Sequence, residues 1–163
     1  MQRIRSPTVI DNNRYDNNKQ NLYREVIKMN TSLVKLANAE NPIITSINAE
    51  TFEDKKRFYN AVNNPVGDVT EIINQPVTIT DFYMRHETKT NDDGFEYDGL
   101  TTTIILDDGR SYKTTYRSFA KSLVNLLSVF GTPDIWDNHK LTVVIKTVKY
   151  GGGMHDGLTI DIA

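Results

Sequence analysis

The chain has 163 residues, of which 38% are hydrophobic and 25% charged, with no cysteine and a formal net charge of -2. That is enough material for one core and too little for two comfortable domains, and it excludes disulfide frameworks, cysteine zinc sites and thiol nucleophiles. No global basic field is present, so any nucleic acid must be held by a local groove. No stretch has the length and apolarity of a membrane span or of a secretory leader, and the expectation is a cytoplasmic protein.

Residues 1 to 18 are polar and Asn-rich (DNNRYDNNKQ) and read as a flexible arm. From Leu22 the spacing of Leu22, Val26, Met29, Leu33 and Leu36 forms one helical stripe, which predicts a helix over roughly 18 to 39. This stripe needs a cover, either its own domain or a second copy, so self-association enters as an expectation. PIITSIN follows as a short strand. AETFEDKKRFYNAVNNP is a second helix with Thr51 at its N-cap and Pro65 and Gly67 at its end; Phe52, Phe58, Tyr59 and Val62 share a side and are expected to pack. Residues 19 to 75 thus form a helical extension.

From residue 76 the chain turns to strands. In VTITDFYMRHETKT the inward phase switches between Val77/Ile79 and Phe82/Met84, which predicts a bulge near Asp81. A loop ETKTNDDGFEYDG leads to the strand GLTTTIILDD, and a two-residue turn at Asp108-Gly109 leads to RSYKTTY. RSFAKSLVNLLSVFGTPDIW reads as the best-punctuated helix, with Ser118 as cap, Phe119, Leu123, Leu126, Leu127 and Phe130 as apolar face, and Gly131 and Pro133 as the stop. Two strands, KLTVVIKTVKY and GLTIDIA, close the chain around a glycine loop.

Three strands, a helix and two strands is the order of a five-stranded OB-type barrel, with the helix between strands three and four. The fold class is therefore mainly β with helices (α+β): an OB-fold domain over 76 to 163 preceded by the helical extension. Such barrels bind oligonucleotides or oligosaccharides on the face of strands two and three and on the loops joining strands one to two and four to five. The stretches ITSINAETFEDKKRFYNAVNNP and LDDGRSYKTTYRSFAKSLVNLLSVFGTPDIW, with the terminal strand pair, resemble the single-stranded DNA-binding proteins of bacteriophages of Gram-positive hosts. The resemblance covers the chain from about residue 43 onward. It implies sequence-tolerant coating of single-stranded DNA in replication or recombination, inside the infected host, without a cofactor and with phage or host replication proteins as further partners.

Single-strand binding takes rings on which bases stack and cations that track phosphates. The candidates are Tyr83 and Arg85 on the first strand, Phe95 and Tyr97 in the first long loop, and Arg110, Tyr112, Lys113 and Tyr116 on and after the third strand. Lys146, Lys149 and Tyr150 lead into the glycine loop. Tyr112 and Lys113 point to opposite faces, so one of that pair at most meets a ligand. Asp92, Asp93, Glu96 and Asp98 oppose a phosphate track: either they point away from it or the loop faces a protein instead. The alternative function is therefore a protein-interaction module acting on a host replication or transcription factor; a carbohydrate-binding or virion domain is a third reading. His86, His139 and His155 stand in no metal-ligand spacing, and no GxSxG, Walker or GxGxxG motif occurs, so the chain does not read as an enzyme. Gly151, Gly152 and Gly153 open no helix; they read as a finger, poorly ordered until it closes over nucleic acid.

Overall fold

The structure, a computed structural model, describes residues 43–136 and 141–163. The expected arm, and the helix over roughly 18 to 39, lie outside these residues. What is described is mainly β: a curled, mixed seven-stranded sheet, a half-barrel, with two α-helices. In chain order these are β1 (Ile43–Thr45), α1 (Phe52–Asn63), β2 (Gly67–Asp68), β3 (Pro76–Thr90), β4 (Glu96–Leu106), β5 (Ser111–Thr114), α2 (Arg117–Phe130), β6 (Thr142–Tyr150) and β7 (His155–Ile162).

The curl originates in β3. Its register shifts between Ile79 and Asp81, where the sequence changes phase, so that residues 76–78 pair with β6 and residues 79–90 with β4. An inserted residue bends a strand and sharpens its twist, which lets one strand serve two partners. Val77 and Ile79 before the bulge and Phe82 and Met84 after it all enter one core. The edge of β3 beyond the reach of β6 is taken by β1, with Thr45 opposite Tyr83 and Ile43 opposite Arg85. β2 adds a short parallel pairing to β5. The sheet therefore has two strands more than the five expected, both from the segment before residue 76, and that segment is built into the sheet.

Helix α1 begins as its sequence suggests: Thr51 accepts from the Asp54 N–H, and Asp54 accepts from the Thr51 N–H. Its packing differs from expectation. Phe58 lies half-buried with its ring 5.6 Å from that of Tyr83, whereas Phe52 and Tyr59 are exposed and the helix encloses no residue. Four apolar side chains on one side of a twelve-residue helix, the rest of which is polar, give it too little apolar surface to be enclosed.

Helix α2 is the core helix. Phe119, Ala120, Leu123, Val124, Leu126 and Leu127 are enclosed against Phe82, Ile104, Ile145 and Leu158. Gly131 takes a positive φ of 76° at its end, and the Trp136 indole N–H donates to the Gly131 carbonyl, closing the Phe-Gly-x-Pro-x-x-Trp punctuation. Ser118 does not cap the helix; Tyr116 occupies that position without a side-chain bond. Instead Ser118 Oγ accepts from the Leu158 N–H at 2.9 Å, and Ser122 Oγ accepts from the Ile160 N–H at 2.9 Å. Four helical residues advance about 6 Å and two strand residues about 6.7 Å, so the serines match alternate donors of the β7 edge and leave neither unpaired.

Candidate nucleic-acid interface

The hairpin joining β3 to β4 forms most of what the sequence suggested was loop. Pairing continues to Lys89 opposite Tyr97 and Thr90 opposite Glu96, leaving only residues 91–95 as the turn. Asn91 organises that turn: its side-chain oxygen accepts from the Asp93 and Phe95 N–H groups, and Gly94 holds φ 81°. Tyr97 is thus on a strand, and Phe95 stands at the tip, 71% exposed. β5 pairs only with residues 102–105 of β4, so the ribbon projects beyond it as a two-stranded arm.

One face of this arm carries charge. Tyr83, Arg85, Glu87 and Lys89 alternate with the inward side chains and face Thr103, Thr101, Gly99 and Tyr97 across the ladder. Glu87 sits between two cations, 2.8 Å from Arg85 Nη2 and 3.2 Å from Lys89 Nζ. It also accepts from the Thr101 hydroxyl at 2.6 Å. That hydroxyl, first, and the two cations hold its carboxyl down to about 2. Lys89 lies flat over Gly99, where a Cβ would come within 2.8 Å of its Cε.

Two of the predicted rings are covered. Tyr112, opposite Ile104 and 5% exposed, belongs to the core, and its hydroxyl accepts from Arg110. Tyr83 is 9% exposed because β1 flanks it and Phe58 covers its ring. Neither offers a free face for stacking. Lys113, on the opposite side of β5 from Tyr112, faces outward beside Thr103.

Arg110 lies in the β4–β5 turn, where Leu106 N–H donates to the Arg110 carbonyl around three residues, not two, with Gly109 at φ 84°. Its Nε donates to Asp108 at 2.6 Å. This turn is at the far end of the eleven-residue β4 from Phe95, about 35 Å away along the strand. Arg110 and Phe95 therefore do not share one contact.

The β6–β7 hairpin ends with Tyr150 opposite His155 around a four-residue loop. Gly151, Gly152 and Gly153 take φ values of 59°, 69° and 93°, a left-handed run that side chains oppose. Lys146 pairs with Asp161 at 2.6 Å and Lys149 with Asp156. Tyr150 is 46% exposed and its ring lies on Gly157: a Cβ there would meet Tyr150 Cε2 at 2.4 Å and Ser118 Oγ at 2.7 Å. Tyr150, Ser118 and Gly157 consequently meet at the first turn of α2. Arg117 in the same turn donates from Nη2 to the Asp98 carbonyl of the arm at 2.8 Å, tying arm, helix and hairpin together.

The structure thus gathers Tyr97 and Arg85 on the arm, and places Tyr150 at the junction of arm and hairpin. Arg117 and Lys121 are basic residues that sequence reasoning missed. Their signal was present, as a basic pair four apart on α2, but it is indistinguishable in sequence from an ordinary solvated helix face. Among the described residues no group of three or more His, Asp or Glu could hold a metal, and no helix is long and apolar enough to cross a membrane.

Residues 37–162 match the family model described as phage single-stranded DNA-binding protein, of the phi29 type. No curated protein and no solved structure matches the chain.

Proposed function

We propose, from the premise that the chain belongs to the family of phage single-stranded DNA-binding proteins, that it coats single strands with little sequence preference in phage replication or recombination. The family match over residues 37–162 is the observation that carries this reading. The order β3, β4, β5, α2, β6, β7 supports an OB-type barrel, to which β1, α1 and β2 are additions. Of the rings expected to stack, Phe95, Tyr97, Tyr116 and Tyr150 are exposed, while Tyr112 lies in the core and Tyr83 is covered by Phe58.

Arg85, Arg110, Lys146 and Lys149 each hold a carboxylate, so a phosphate must replace that carboxylate to be bound. Lys113 has no ion-pair partner among the described residues and meets phosphate directly. Exchange of one anion for another keeps the cations positioned while the DNA is absent, at the cost of weaker net attraction. Asp92 and Asp93 precede Phe95 in the turn at the arm tip, a chemistry that suits a basic surface on a phage or host replication protein better than DNA. The working place is the cytoplasm of the infected cell.

Gel shifts with oligo(dT), single-stranded and duplex, over a salt series test the reading. Binding to the single strand that weakens linearly in log affinity against log salt is expected. Folded protein that leaves oligo(dT) unshifted at low salt contradicts it.

A further inference from the structure

Between α2 and β7 runs a groove of about 360 Å³ lined by Arg117, Ser118, Lys121, Ser122, Asn125, Tyr150 and Thr159. Ligand pockets begin at roughly 300 Å³, so one nucleotide unit fits. Among the described residues that line it there is no carboxylate, in a chain whose net charge is -2. Arg117, Lys121 and Asn125 are spaced by four and stand on one stripe of the helix. Lys121 is exposed and has no ion-pair partner among the described residues. This sets it apart from Arg85, Lys89, Arg110, Lys146 and Lys149, all of which hold carboxylates. Arg117 uses one N–H on the Asp98 carbonyl, and a guanidinium has five.

The floor of the groove is built. Ser118 and Ser122 accept from β7 N–H groups, and the Ser122 hydroxyl in turn reaches the Ile160 carbonyl at 3.5 Å and the Thr159 hydroxyl at 3.2 Å. The Tyr150 ring forms one wall, and it lies where it does because residue 157 is glycine: any Cβ would displace the ring. A glycine with ordinary φ, buried beneath an aromatic ring that is itself half exposed, fixes a stacking surface without covering it.

We infer that this groove is a nucleotide subsite, in which the phosphate backbone of a single strand runs along Arg117, Lys121 and Asn125 while one base stacks on Tyr150. The inference rests on the reading of the chain as a single-strand binder, and it assigns the strand a path off the sheet and over the first two turns of α2. Tyr150, Arg117 and the Asp98 carbonyl connect this path to the arm that carries Tyr97 and Arg85.

Oligo(dT) binding by the full chain over a salt series tests it, comparing wild type with Lys121→Ala, Tyr150→Ala, Tyr150→Phe and, as a control on the exposed side of α1, Lys56→Ala. Tyr150→Ala is expected to weaken binding by roughly 5- to 140-fold and Tyr150→Phe by less than about twofold, since stacking needs the ring and not the hydroxyl. Lys121→Ala is expected to flatten the slope of log affinity against log salt by about 0.7, with Lys56→Ala parallel to wild type. If wild type binds and Lys121→Ala matches it in affinity and slope, the subsite is refuted while the single-strand function stands. If wild type itself does not bind, both fall.

Discussion

The two helices lie against the same sheet and do opposite things. α1 attaches through Phe58 on Tyr83 and through the Ser111 hydroxyl, which donates to the Ala61 carbonyl at 2.8 Å. The groove beside it is lined by Asp54, Asp81 and Asp107 with Arg57 as its cation, and burial pushes the Asp81 carboxyl above its ordinary range. α2 encloses six residues, ties down the β7 edge with two serines, and turns toward solvent a groove with two cations and no carboxylate among the described residues. One helix combines core with a basic groove; the other, with Lys55, Lys56 and Arg57 beside Glu53 and Asp54, is an exposed polar cover next to an acidic groove. A net charge of -2 therefore conceals two grooves of opposite character, one lined by three carboxylates and one cation, the other by two cations.

The contrast is broken most severely from within α2. Leu123→Ala is expected to destabilise the fold by about 2–5 kcal/mol, read from urea or thermal unfolding, because a fully enclosed side chain leaves a cavity. Ser118→Ala is expected to cost about 1–3 kcal/mol by leaving the Leu158 N–H without its acceptor, and hydrogen exchange at Leu158 should accelerate accordingly. On α1, Tyr59→Ala should change stability by no more than about 0.5 kcal/mol, since the ring is exposed. A large loss there would show that α1 is as firmly seated as α2.

A finer probe lies on the arm. The Glu87 carboxyl is depressed from 4.5 to about 2, so its stabilising effect is complete above pH 4.5 and is lost as pH falls toward 2. Thr101→Val removes the foremost cause, and carboxyl NMR titration should then find Glu87 titrating closer to 4.5. An unchanged titration would mean that Arg85 and Lys89 alone set it.

Local signals in the chain foretold much of the fold. The phase change around Asp81 became the bulge, Thr51 with Asp54 became a capping box, and Gly131 ended α2 as its position suggests. Period-two alternation sorts Tyr112 from Lys113 but does not say which set is inside; that depends on Ile104 and Phe82, far away in sequence. Tyr83 was hidden by Phe58, a contact set by the docking of α1 and not by either local pattern. The strand pairing that runs on through Thr90 and Glu96 was obscured by the acidic, Gly-containing stretch, where Asn91 confines the turn to five residues. Ser118 read as a cap because its true partner, Leu158, is forty residues on. Lys121 did not stand out for the same reason: only the fold brings it and Tyr150 to the lining of one groove. The three glycines show a related limit. Their left-handed conformation means that alanines at Gly151 to Gly153 would strain the hairpin itself, so such a variant mixes folding with binding.

The most direct test is a titration of isotopically labelled protein with oligo(dT), followed by amide chemical shifts residue by residue. The account predicts that shifts concentrate on the arm from Arg85 to Thr101, on α2 from Arg117 to Asn125 and on the hairpin from Lys149 to Gly157, with α1 from Phe52 to Asn63 little changed. Shifts centred on α1 and its acidic groove, with α2 and Tyr150 silent, would contradict it.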